Sequence, residues 1–343
     1  MRETFEFRIP ERSAVRLSRD GIGKMLGDHV RQVKLLATDP LFEEIGLLNT
    51  RLRASEGRSL FTYWQIHRSY TAKELESADL LQMFITTAFE PAGEECGTKY
   101  NDARACGICG AGAEQTSDLF LDLRKVPRKE IARTIADEWI VSQRLAEIFT
   151  AAKIRGIELH LVRHHGAYGD DPIDLRTTPS GRKFIERAEQ QSVSLESHNF
   201  YTWSFRPENR ELWENAQNEH VAQRQAEERR TEKTWPKWYQ VRVVSNRLPV
   251  MPPTRTGVSP FDSDPEGKYR CPRGDNIGHR FLSEVFVQRA AWDEADVMLT
   301  KQVTGPRRGL LRPQPAIFVT PQFRQVLQKH RIKGVAFEVA NFV

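Results

Sequence analysis

At 343 residues, 39% hydrophobic and 28% charged, the chain is long enough to bury a real core without disulfide staples. Its net charge of +5 and pI near 9.0 come from interspersed acids and bases, which reads as solvated surface and leaves non-specific nucleic-acid affinity open without implying it. No apolar run approaches the length of a bilayer span and MRETFEFRIPER lacks the apolar core of a signal peptide, so a membrane protein is excluded and a cytoplasmic location is expected.

Taken in chain order, the first segment with a later echo is YWQIHR (63–68), which resembles WYQVRV (238–243). The cysteines follow. GEECG holds Cys96 alone, and CGICG holds Cys106 and Cys109. The two-residue spacing lets both thiolates face one ion, while the glycines let the backbone wrap round it with N–H groups directed at the sulfurs. One CxxC needs two more ligands. Cys96 offers a third, and Cys271, which opens CPRGDNIGH, offers a fourth if the two halves pack about a pseudo-twofold axis; His279 stands in reserve. The reading is a structural zinc site. Its competitors are ordinary reduced cysteines, the remnant of a lost site, and redox chemistry, the last disfavoured because the motif does not open a predicted helix after a strand.

Further on, WIVSQRLAEIFTAAKIRGIEL (139–159) is built on the same plan as IFVTPQFRQVLQKHRIKGVAF (317–337). At a constant offset of 178 (319 minus 141), Val141 falls on Val319, Ser142 on Thr320, Leu145 on Phe323, Phe149 on Leu327 and Gly156 on Gly334. Each copy predicts strand, capped helix, turn, strand. Ser142 and Thr320 are good N-caps, Pro321 suits the first helical position, and Leu145, Ile148, Phe149 and Ala152 put one apolar stripe on the first helix. Phe323, Val326, Leu327 and His330 do the same on the second. Beyond the glycines, IELHLV and VAFEVANF alternate with period two. At the same offset SDLFLD (117–122) lies on ADVMLT (295–300). The expected architecture is therefore α+β: two related lobes from an internal duplication, each with a small sheet and a capped helix. The boundaries are 1–170 for the N-terminal lobe, 171–234 for a polar, partly helical inter-lobe segment, and 235–343 for the C-terminal lobe.

Two other features carry possible chemistry. In HLVRHHGAYGDD, His160 and His164 share one face if 157–164 is a strand, and Asp170 or Asp171 could return to them from the loop, a set suited to a metal or to acid–base work. The matching strand carries Glu338 and Phe342 instead, and no G-x-S-x-G, P-loop, dinucleotide or H-E-x-x-H motif is present. In the inter-lobe segment, Glu208 to Lys233 reads as a solvated helix; Trp203, Trp213, Trp235 and Trp238 are either interface anchors or core packing.

CGICG followed by SDLFLDLRK and the strand–VS–helix–G–strand pattern resembles the double-CxxCG immunity proteins of myxobacterial toxin–immunity pairs, and the closing IFVTPQFRQVLQKHRIKGVAFEV resembles the end of that family. The resemblance covers about half the chain. It implies a non-enzymatic protein that binds and blocks a cognate toxin encoded nearby. The family cysteines carry over to Cys106 and Cys109, whereas the second motif is represented only by Cys96 and Cys271. A basic chain is unusual for an inhibitor of a nucleic-acid-cleaving toxin, whose active site favours an acidic plug. The alternatives are a zinc-stabilised nucleic-acid-binding protein, which would use GPRRGLLRP (305–313) with HRIK (330–333), and a metal-dependent hydrolase built on the His160/His164 region.

Overall fold

A computed structural model describes residues 1–19, 21–167, 173–194, 203–230, 235–263, 270–271, 276–277, 280–305 and 312–343. The class is α+β, with helices and several separate sheets. The chain starts with alternation: Phe5, Phe7 and Ile9 of the strand Arg2–Pro10 are buried on one face, which fixes the register of a four-stranded antiparallel sheet. Its order is Lys24–Leu26, Val30–Leu35, Arg2–Pro10, Tyr63–Ser69. The helix Pro40–Glu56 covers the buried face through Leu41, Ile45 and Leu52. Asp39 caps it by accepting from the Leu41 N–H, and Gly57 ends it at φ 64°. Phe261, from the other half of the chain, packs over Phe7 and against Gly46.

Beside three small sheets of two or three strands stand two larger ones, and each of these takes an inner strand from the opposite half of the chain. In the five-stranded sheet the order is Ile157–Leu161, Trp238–Val243, Trp139–Ser142, Ile131–Thr134, Ala88–Phe89. In the seven-stranded sheet it runs Val250–Met251, Val285–Val287, Val335–Phe342, Leu80–Ile85, Gln314–Val319, Val297–Gly305, Asn276–Ile277. Thus Trp238–Val243 lies between the two strands that flank the helix Gln143–Ala151, and Leu80–Ile85 lies between the two that flank Pro321–Lys329, all four pairings antiparallel. Of the two inner strands, Leu80–Ile85 is the nearly continuous apolar run, whereas Trp238–Val243 carries Gln240 and Arg242. Leu80–Ile85 is buried at five of its six residues.

Both strand–helix–strand units form where the sequence places them. Ser142 and Thr320 accept from the Leu145 and Phe323 N–H groups, and Gly156 and Gly334 turn the chain at φ 90° and 98°. The buried stripe is narrower than expected and shifted by a residue: Leu145, Ala146 and Phe149 are buried on one helix and Phe323, Arg324 and Leu327 on the other, while Ala152 is exposed. The two helices close on one core with Leu81, Met83, Ile85 and Val241, and the Phe149 and Phe323 rings meet at 5.2 Å. The turns match as well: the Gly156 carbonyl accepts from the Val244 N–H and the Gly334 carbonyl from the Thr86 N–H, each at 2.9 Å.

Two of the sequence correspondences do not carry into these positions. YWQIHR sits in the N-terminal sheet, so the place equivalent to Trp238–Val243 belongs to Leu80–Ile85; an alternating strand suits a sheet with one covered face. Likewise the strand beside Trp139–Ser142 is Ile131–Thr134, whereas Phe120–Leu121 pairs in parallel with Arg163–His164. In the inter-lobe segment, the helices Pro179–Gln190 and Pro207–Arg230 pack on each other around Phe184, Ala188 and Trp203, and Ser180 holds the Glu219 carboxylate. Among the described residues no helix is long and apolar enough to cross a membrane.

Candidate metal centre

The CGICG segment folds as a tight knuckle. The Cys106 N–H donates to the Ala111 carbonyl at 2.8 Å and the Gly110 N–H to the Cys106 carbonyl at 2.7 Å, a closure that needs Gly110 at φ 72°. The consequence is electrostatic. Backbone N–H groups of Cys109 and Ile108 point at the Cys106 sulfur and lower its thiol to about 7, while the Ala111 N–H points at the Cys109 sulfur at 3.5 Å. Burial pushes the Cys109 thiol up to about 12, so the knuckle holds one sulfur that ionises readily beside one that needs a cation to do so.

Cys271 completes the cluster from the other half of the chain. Cys106, Cys109 and Cys271 are all buried, and their sulfurs lie within 4.8 Å of one another, with Cys109 and Cys271 at 4.0 Å. A disulfide needs about 2.05 Å, and all four cysteines are free. Tetrahedral zinc with Zn–S near 2.3 Å needs sulfurs roughly 3.8 Å apart, so the three thiols fit that ion with modest adjustment. Val303 and Ala111 close the site on its apolar side.

Cys96 is a different matter. It lies on the 3₁₀ turn Glu94–Cys96, 1% exposed, and is not part of the thiol cluster. Burial pushes its thiol up to about 12, against a backbone hydrogen bond from Asp122, and its carbonyl meets His165 Nδ1. The expected four-cysteine set therefore becomes three, because the turn holding Cys96 packs towards Asp122 and His165. His279 lies outside the described residues.

The histidine set does not assemble among the described residues. The strand ends at Leu161, so His160 remains on the five-stranded sheet, half-buried and paired with Glu158 at 3.1 Å. His164 belongs to the separate two-stranded pairing. Its Nδ1 accepts from the Leu123 N–H at 3.1 Å, its Nε2 meets Glu228, and its ring lies 4.1 Å from Trp235. It thus ties the long inter-lobe helix to the N-terminal half. Asp170 and Asp171 lie outside the described residues. The expected interface tryptophans are packed: Trp203 and Trp238 are buried and Trp213 lies 5.4 Å from Phe184.

The fold also encloses a cavity of about 960 Å³ that the sequence does not announce. Its walls are the strand Tyr63–Ser69, the ends of the two large sheets, and the knuckle at Gly110–Ala113. No motif marks it, since its residues come from segments far apart in the chain. On its wall Glu138 accepts from the Gly93 N–H at 3.0 Å and from Tyr100 Oη at 2.6 Å.

No protein-family model, no curated protein and no solved structure matches this chain.

Proposed function

We propose that this chain is a binding protein of the immunity type, which neutralises a cognate toxin encoded nearby by stoichiometric association, on a scaffold stapled by structural zinc at Cys106, Cys109 and Cys271. The observation that carries the reading is the buried thiol cluster. Among the described residues it is the one group of three or more potential metal ligands, and all three are buried. Catalytic zinc usually has nitrogen or oxygen among its protein ligands, whereas an all-thiolate set, buried and under backbone N–H groups, suits a structural ion whose fourth ligand lies beyond these three. Because Cys271 comes from the far half of the chain, the free energy of metal binding would act as folding free energy for both halves. Reciprocal strand exchange adds rigidity, and a rigid scaffold keeps the cost of ordering low on association.

The test is co-expression with the neighbouring open reading frame. The expected outcome is growth arrest by the neighbour alone, rescue by this protein, and co-purification of the two at one-to-one stoichiometry. A harmless neighbour, or one that kills equally well and does not co-purify, removes the immunity reading. Purified protein that carries no zinc and is indifferent to a chelator removes the metal alone.

A further inference from the structure

The two strand–helix–strand units are fitted to their neighbours alike, and at one point their charges are opposite. In each, the helix N-cap donates its backbone N–H to the carbonyl, and its hydroxyl to the carboxylate, of the residue just before the adjacent strand: Ser142 to Glu130, Thr320 to Asp296. The turn that follows the other unit's helix lies beside that carboxylate, and Arg331 at φ 55° on one turn answers Lys153 at φ 51° on the other. Two residues before the carboxylates, however, stand Arg128 in one place and Glu294 in the other. On the Glu294 side the turn is closed by ion pairs, Arg155 Nη1 reaching Glu294 at 3.7 Å and Nε reaching Asp296 at 3.6 Å. On the Arg128 side, Arg128 and Lys129 share with Arg331 and Lys333 the lining of a cavity of about 380 Å³, completed among the described residues by Glu130 and Ser142. The Glu130 carboxylate is held by the Ser142 hydroxyl and by Arg144 Nη1 at 2.8 Å, and Arg144 also donates to the His330 carbonyl at 3.3 Å, which fixes the turn in place. Among the described residues none of the four lining cations has a carboxylate partner, and all four are exposed. A cleft lined by one sign of charge concentrates counter-ions.

We propose that this cavity binds a compact oligophosphate, either inorganic or the phosphate tail of a nucleotide. Linked phosphates carry several charges and acceptor oxygens within a few bonds of one another, so one small ligand meets all four cations. Arg128 and Arg331 offer planar forks for bidentate contact, and Lys129 and Lys333 offer compact point charges. The lining holds no aromatic ring and no aliphatic side chain, so a base has nothing to stack on and an apolar anchor nothing to bury in. A nucleic-acid strand spreads its phosphates one to a nucleotide, and an extended acidic peptide sets carboxylates about 6.8 Å apart on one side. Either brings fewer charges into so small a space than linked phosphates do. The volume lies near the lower end of small-ligand pockets, as a ligand that is mostly phosphate requires. Such a site is independent of toxin binding, since it needs only two segments of this chain and no partner protein.

The experiment is isothermal titration calorimetry of the full-length protein at one physiological salt concentration with tripolyphosphate, adenosine triphosphate, orthophosphate, hexaglutamate and ten-residue oligo(dT). Tripolyphosphate is expected to bind saturably, one per chain, and at least tenfold more tightly than the last three. Adenosine triphosphate of equal or greater affinity identifies a nucleotide as the source, and weaker binding an inorganic oligophosphate. Arg128→Glu, which installs the acid found on the other turn, should weaken tripolyphosphate at least tenfold without lowering Tm. Arg155→Gln, at the turn already closed by ion pairs, should leave the affinity unchanged. Withdrawal of a metal from the thiols by the phosphates would act on both variants alike, so a difference between them reports the cavity. Should Arg128→Glu fail to fold, the Lys129→Gln/Lys333→Gln pair, at exposed positions, must still weaken tripolyphosphate at least threefold. Absence of saturable binding, equal affinity for orthophosphate, or the same affinity in the Arg128→Glu and Arg155→Gln variants overturns the proposal. Tighter binding of oligo(dT) or of hexaglutamate also overturns it, and reassigns the cavity to nucleic acid or to an acidic peptide.

Discussion

Phe149→Ala and Phe323→Ala test whether the two strand–helix–strand units share one core. Both rings are at most 1% exposed and pack against each other at 5.2 Å. Truncating a fully buried phenylalanine costs about 3–5 kcal/mol through lost burial and the cavity left behind. If the 343 residues unfold as one unit, an unfolding entropy of about 2.1 cal/mol/K per residue gives roughly 0.7 kcal/mol/K, so each substitution lowers Tm by about 4–7 °C. If the halves unfolded separately, each substitution would shift one transition about twice as far and leave the other in place. The ring pair adds a second handle, because contacting aromatics couple by about 0.5–1.5 kcal/mol beyond their burial. The assay is urea and thermal unfolding of the wild type, both single variants and the double variant, followed by far-ultraviolet circular dichroism and tryptophan emission. Coincident probes, similar shifts for the two singles and a coupling above about 0.5 kcal/mol are expected. Two transitions with one unmoved, or a coupling near zero, would refute the shared core.

Metal content should separate the cysteines: Cys109→Ser or Cys271→Ser is expected to lose bound zinc and stability, whereas Cys96→Ser keeps one zinc per chain by elemental analysis. Loss of zinc from Cys96→Ser would return that residue to the site. Asp122 is fully buried; burial raises its carboxyl, but hydrogen bonds from the Arg124 guanidinium and backbone and from the Ala167 N–H outweigh this and hold it below its ordinary value. Its contribution is therefore present above the unfolded pKa of about 3.9 and lost as pH falls through the lower folded value. Asp122→Asn should cost about 3–5 kcal/mol at neutral pH and make acid unfolding below pH 4 less steep, which urea titrations across pH would reveal. Finally, Gly57 and Gly156 both have positive φ, but a Cβ at Gly57 meets nothing within 4 Å, whereas one at Gly156 would lie 2.5 Å from the Val297 carbonyl oxygen. Gly57→Ala should cost about 1–2 kcal/mol and Gly156→Ala clearly more, and equal midpoint shifts in urea would contradict the tight docking of that turn.

The local pieces were legible because short-range chemistry decides them. Ser142 and Thr320 cap helices wherever an N–H three residues on needs an acceptor, the glycines at 156 and 334 end them, and the CGICG spacing brings two thiols to one side of a knuckle. Even there the register slipped, since Ala146 and Arg324 are buried and Ala152 is not; the width of a buried stripe depends on what packs over it. The pairing of the inner strands belonged to tertiary structure. LLQMFI says that a strand is covered on both faces, not that its neighbours lie more than two hundred residues away at 314–319 and 335–342. The same applies to the thiols: four cysteines are visible in the chain, but which three meet depends on how the turn at Cys96 packs towards Asp122 and His165 while Cys271 arrives from the other half. The larger cavity has no local signal at all, because its walls come from segments far apart in the chain and meet only in the assembled fold.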